Sequence, residues 1–156
     1  MAEKQAPKAL HMETLRRFWE EMPFNRFLGM KIESFDEKKL CLQFSMKDAF
    51  VGNSLKGDRL HGGVIAAIID TTGGMLASIS EMKRQRANAT GKQNRIFGKG
   101  GTIDLRIDYL RPGFGSAFWS TGSILKHGTN VIVTKMEMTN EQESIIAVGM
   151  GTYFVE

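Results

Sequence analysis

Leu60-His61-Gly62-Gly63-Val64-Ile65-Ala66-Ala67-Ile68-Ile69-Asp70-Thr71-Thr72-Gly73-Gly74 sets one carboxylate in the middle of an apolar run of helix length. Ala, Ile and Leu occupy every face from Val64 to Ile79, so the segment reads as a helix buried all round and not as an amphipathic surface helix. An ionised carboxylate taken out of water costs several kcal/mol unless it is paired or hydrogen-bonded. Asp70 therefore needs an explanation. One reading is a structural network with the hydroxyls of Thr71, Thr72 or Ser78. The other is a catalytic base or nucleophile.

Gly62 and Gly63 favour the second reading. They open the helix, where unpaired N–H groups sit at the positive end of the dipole and suit an oxyanion or a carbonyl oxygen. Eight residues separate Gly62 from Asp70, about 12 Å along a helix. One carbonyl cannot touch both. If Gly62 N–H holds the oxygen while Asp70 acts at the carbon, the two come from different helices, which antiparallel helices of a two-fold dimer supply.

The helix stretch organises the rest of the chain. Leu15, Phe18, Trp19 and Met22 recur at helical spacing after a polar N-terminus, residues 1–9, expected to be flexible, and Pro23 stops that helix. Strands are predicted near Met30–Asp36 and Lys39–Met46, joined at Glu37-Lys38. A breaker-rich loop containing Gly52, Asn53, Ser54 and Gly57 delivers the chain to the helix, which is predicted to run from Gly62 to about Met82. Ile103, Leu105, Ile107 and Tyr109 alternate with Thr102, Asp104, Arg106 and Asp108, a strand with one face on the core. Three more strands follow near Ser116–Lys126, Asn130–Thr139 and Ser144–Val155. Gly149 and Gly151 share a face of the last one, where a helix or ligand can approach closely. The order helix, two strands, long helix, four strands gives an α+β fold: one domain over residues 10–156, an antiparallel sheet curling around a central helix and leaving a side for a second subunit to close.

Composition narrows the classes. With 156 residues and 42% hydrophobic content the chain suits a single domain. Its one cysteine, Cys41, allows no intrachain disulfide and fits a reducing cytoplasm as a core filler. No apolar run reads as transmembrane and Met1–Ala9 has no signal-peptide character, so no membrane insertion and a cytoplasmic location are expected. Glu81–Gly101 carries Lys83, Arg84, Arg86, Lys92, Arg95 and Lys99 against Glu81 alone, and reads first as a solvated loop. Without interleaved aromatics other than Phe97, it does not read as a nucleic-acid surface. His11, His61 and His127 are scattered, so no metal site is expected.

In order along the chain, Pro23-Phe24-Asn25-Arg26-Phe27-Leu28-Gly29-Met30, Val51-Gly52-Asn53, His61-Gly62-Gly63-Val64-Ile65, Asp70-Thr71-Thr72-Gly73-Gly74, Gly101 to Gly113, and Ala147 to Tyr153 resemble the hot-dog fold acyl-CoA thioesterases of the phenylacetate-pathway-like group, in particular its YigI-like medium- and long-chain members. The resemblance covers nearly everything after Glu21. It implies hydrolysis of acyl-CoA thioesters in fatty-acid metabolism, by a homodimer or a dimer of dimers, with no cofactor beyond the coenzyme A of the substrate. It implies Asp70 as nucleophile or general base and the Gly62 N–H of the other subunit as oxyanion donor. His61 shapes the turn or hydrogen-bonds nearby, with a structural role as its leading reading. Asn53, eight residues before His61, is the nearest match to a polar residue close to the thioester.

Where that group often has a Gly-Arg pair for coenzyme A phosphates, this chain reads His127-Gly128-Thr129-Asn130. Arg111, Lys126, or the basic loop are the substitutes, with Gly63 at the helix start. Two rivals remain. A non-catalytic acyl-CoA binding or sensing module would have the same groove, but gains nothing from a carboxylate at the reacting carbon. A hydratase on enoyl thioesters would need a His in the helix region, and none lies between Gly62 and Lys126.

Overall fold

The computed structural model describes residues 6–88 and 100–156. Two helices, α1 (Ala6–Glu21) and α2 (Pro23–Leu28), precede the hairpin of β1 (Lys31–Phe35) and β2 (Lys39–Ser45). Two 3-10 turns, Asp48–Phe50 and Ser54–Lys56, lead to α3 (Gly62–Asn88). Strands β3 (Gly100–Tyr109), β4 (Ala117–His127), β5 (Val131–Asn140) and β6 (Ile145–Val155) complete one sheet of order β1-β2-β4-β5-β6-β3, every neighbour antiparallel.

Local chemistry accounts for these boundaries. Helix α1 begins at Ala6, inside the stretch expected to be flexible, and ends at Glu21 before Pro23. Proline then opens α2, a second helix not expected from the sequence, because the first helical turn needs no N–H from that position. Gly29 closes α2 with a left-handed φ of 70°. The β1–β2 turn is held by Asp36 Oδ1, which accepts the Lys38 and Lys39 N–H groups at 2.7 and 2.8 Å.

Helix α3 runs six residues beyond the expected end at Met82. The apolar pattern stops there, but Glu81 accepts from Arg84 and Gln85 one turn on and carries the helix forward as a polar overhang. By length and composition α3 could cross a membrane, contrary to the expectation that no such run exists. Here it lies across the sheet, with Ile68, Ile69, Leu76 and Ile79 fully buried against Leu42, Phe44, Phe118, Met136 and Ile146. Phe44 and Phe118 stack at 5.2 Å between the facing strands β2 and β4.

The helix is not buried all round. Gly63 is exposed, and Ala67, Asp70, Gly74 and Ser78 are half-buried at three- and four-residue spacing. One sheet covers one side of a helix, and this stripe is the side left over. At the sheet edge β3 leaves Ile103 and Tyr109 more than half exposed, although the alternation placed both on the core, while Leu105 and Ile107 do pack inward. Gly149 and Gly151 fulfil the close-approach reading: a Cβ at Gly149 would meet Ile69 of α3, and one at Gly151 the Tyr153 ring.

Of the basic run, residues 89–99, which include Lys92, Arg95 and Lys99, lie outside the described residues. Lys83 pairs with Glu37 at 2.8 Å and Arg84 with Glu81 at 2.6 Å.

Candidate active site

Asp70 sits in the third turn of α3, on the half-open stripe, at the floor of a cleft of about 260 Å³ whose walls include Trp19, Met22, Asn25, Thr102 and Tyr153. Its hydrogen-bond partners are not the helix hydroxyls considered from the sequence. Thr72 donates to Ile68 O at 2.7 Å and contacts Ser120, and Ser78 donates to Gly74 O at 2.9 Å, so both are committed to satisfying the core. Asp70 Oδ1 instead accepts from Thr102 Oγ1 at 2.9 Å and from the Tyr153 hydroxyl at 3.3 Å.

Thr102 reaches Asp70 through a bulge. On a regular strand it would face away from Leu105 and Ile107. Thr102 pairs with Tyr153 and Asp104 with Thr152, so β3 holds one extra residue, Ile103, against β6. The bulge reverses the parity, turning Thr102 toward α3 and Ile103 toward solvent. Tyr153 comes from the inward face of β6 and is buried; burial, then the Asp70 charge beside it, pushes its hydroxyl well above the usual phenol range. It therefore stays protonated and donates.

The start of α3 forms a second cleft, of about 430 Å³, with Arg59, His61, Gly62, Tyr109 and Arg111 among its walls. His61 N–H donates to Phe50 O at 2.7 Å, and His61 Nδ1 accepts the Gly63 N–H at 2.9 Å, so the imidazole caps the helix. Gly63, expected at coenzyme A, thus has its N–H bonded within its own chain. The Gly62 N–H meets no acceptor among the described residues. The Tyr109 hydroxyl donates to Gly62 O at 3.0 Å and holds the next peptide, Gly62–Gly63, from the far end of β3.

The remaining expected residues lie apart. Asn53 Oδ1 accepts the Leu55 N–H at 3.0 Å within the second 3-10 turn, a local cap, and lines a separate shallow cleft with Asp48 and Asp58. Arg111 is at the helix-start cleft, its guanidinium donating to Ile145 O at 2.9 Å. Lys126, in contrast, follows a bulge in β4 and precedes His127, which bonds Ser80 and Glu81 near the other end of α3. Within one chain it does not join Arg111.

Sequence reasoning missed Thr102, Tyr153, Tyr109 and Arg59. Gly73, Gly74 and Gly151 were the one signal for Tyr153, since three absent side chains imply a bulky group between them. Among the described residues no group of three His, Cys, Asp or Glu side chains could hold a metal ion. The Cys41 thiol is pushed up by burial and by Glu33, away from nucleophilic ionisation.

An antiparallel sheet wrapped on one long helix, carrying a glycine N–H at the helix start and a carboxylate two turns on, defines the class as hot-dog fold. The chain belongs to the thioesterase superfamily, whose family model matches residues 57–147. It is 40% identical over 134 residues to the medium/long-chain acyl-CoA thioesterase YigI of Escherichia coli (strain K12), covering 86% of each protein. Among solved structures, a Shewanella oneidensis protein related to the thioesterase superfamily is 35% identical with a TM-score of 0.75, covering 95% of this chain and 97% of that one. The PaaI protein of the E. coli phenylacetic acid degradation operon shares the fold at 20% identity, with a TM-score of 0.74 and coverage of 93% and 92%.

Proposed function

We propose that the protein hydrolyses medium- to long-chain acyl-CoA thioesters to the free acid and coenzyme A, in the cytoplasm. The observation that carries this reading is the Asp70 carboxylate, tethered through Oδ1 at the floor of a cleft on the same helix whose first N–H is uncommitted. The likeness to YigI supports the acyl-CoA class.

Gly62 and Asp70 are about 12 Å apart along α3, so one site draws on two copies of the chain. The half-open stripe of α3 and the unpaired edge of β3 support a homodimer, and dimers pairing into tetramers extend the same reading. The thioester oxygen lies on the Gly62 N–H of one copy. Asp70 of the other acts as base or nucleophile: it takes a proton from water as the water oxygen bonds to the carbonyl carbon and the C–S bond breaks to release thiolate, or it bonds to that carbon itself with loss of thiolate, giving a mixed anhydride that water then cleaves to the free acid and the Asp70 carboxylate. Arg111 and Arg59 at the helix-start cleft supply cations for the coenzyme A phosphates.

The test is thiol release from short, medium, long and aryl acyl-CoA esters by wild type and Asp70→Asn, with acyl-CoA binding measured beside it. Hydrolysis lost in the variant while binding survives supports the reading. No hydrolysis by wild type, with tight binding, would establish the binding module instead.

A further inference from the structure

We propose that Tyr153 is the positioning residue of Asp70: its buried hydroxyl holds the carboxylate by Oδ1 so that Oδ2 is presented to the cleft. This rests on the reading of Asp70 as the group that drives hydrolysis.

The tyrosine is built into the fold as a fixed donor. Its hydroxyl lies 3.1 Å from the Asp70 carbonyl oxygen and 3.3 Å from Oδ1, so one O–H spans the backbone and the side chain of the same residue. A contact to both tells the carboxylate where its own helix is, which a bond to the side chain alone would not.

The ring has a dedicated slot. A Cβ on Gly73 or Gly151 would collide with the Tyr153 hydroxyl, and one on Gly74 would press on the ring at 3.2 Å. Two adjacent glycines inside a long helix cost about 2 kcal/mol of helix propensity relative to alanine. Here they give an aromatic side chain from β6 access to the carbonyl of Asp70, one turn earlier on α3. Thr102 completes the arrangement at 2.9 Å from the same oxygen, leaving Oδ2 without a partner among the described residues.

Asp70→Asn, Tyr153→Phe and wild type are compared on decanoyl-CoA, with melting temperature recorded for each. Phenylalanine keeps the ring in its slot. The expected result is that Asp70→Asn loses hydrolysis, whereas Tyr153→Phe lowers kcat roughly tenfold at an unchanged KM. Wild-type kcat in Tyr153→Phe overturns the assignment while leaving Asp70 in its role. Retained hydrolysis in Asp70→Asn removes the role of Asp70 and the Tyr153 assignment with it. Should Tyr153→Phe not fold, 3-fluorotyrosine at position 153 keeps the hydroxyl and alters its donor strength; kcat then changes at an unchanged KM, and a wild-type kcat overturns the proposal.

Discussion

Thr102 Oγ1 lies 2.9 Å from Asp70 Oδ1 because β3 holds one more residue than β6 between positions 102 and 104. The extra residue is Ile103, whose side chain is turned out to solvent. A polar contact at the floor of the cleft thus depends on backbone register as much as on the threonine itself.

Deleting Ile103 removes the bulge but leaves Thr102 paired with Tyr153 and Asp104 with Thr152, so Thr102 keeps facing α3. The expected outcome is a folded deletion variant that retains thiol release, whereas Thr102→Val falls roughly tenfold below wild type. Circular dichroism and acyl-CoA hydrolysis read both. Full activity in Thr102→Val would show that the Thr102 contact is dispensable.

His61 caps α3 through Nδ1, so His61→Ala removes one helix cap and is expected to cost about 1 kcal/mol of stability. Activity falls only as far as the Gly62 peptide loosens. A loss beyond about a hundredfold at full folding, measured at matched oligomeric state, would instead give the imidazole a direct part in the chemistry.

Shared sites make a sharp expectation for mixed variants. Gly62 is the first residue of α3, a position that accepts proline, and Gly62→Pro deletes the proposed oxyanion donor. Gly62→Pro and Asp70→Asn are each expected to be inactive alone. Unfolded together and refolded at equal amounts, they form mixed dimers in which one site keeps both groups, and hydrolysis returns to about a quarter of wild type. No recovery in refolded mixtures shown to contain mixed dimers would mean that Gly62 and Asp70 do not act across subunits.

Near the other end of α3, Glu81 is buried and bonds Arg84, Gln85 and His127. Burial raises its pKa, but the bonds to Arg84, His127 and Gln85 outweigh that and leave it below the ordinary carboxylate value. A lowered carboxylate stabilises the fold above its unfolded pKa, and the contribution disappears as pH falls through the folded value. Glu81→Gln is therefore expected to lower stability at pH 7 by about 1–3 kcal/mol and to flatten the loss below about pH 4. Urea unfolding at pH 7 and pH 4 measures both; an equal acid slope in variant and wild type would place the acid sensitivity elsewhere.

The composition of Val64 to Ile79 determined that a long helix forms the core, period-two alternation marked β3, and runs bounded by turn residues located the other strands. Gly62 at the helix start and Asp70 in mid-helix were legible because a carboxylate among Ile and Ala is costly wherever it lands. Their separation followed from helix rise alone. Asn53, set near the thioester by the family resemblance, caps its own 3-10 turn, and Lys126, offered as a cation for coenzyme A, follows a bulge at the far end of the helix.

Thr102 and Tyr153 could be assigned to Asp70 only in three dimensions. One arrives through a register shift that has no signature in a single strand, the other through a slot opened by glycines 79 and 80 residues away, together with Gly151 of its own strand. Periodicity fixes which face a residue takes on an ideal element. Where elements meet, bulges, caps and close approaches set the face, and only the folded chain contains them.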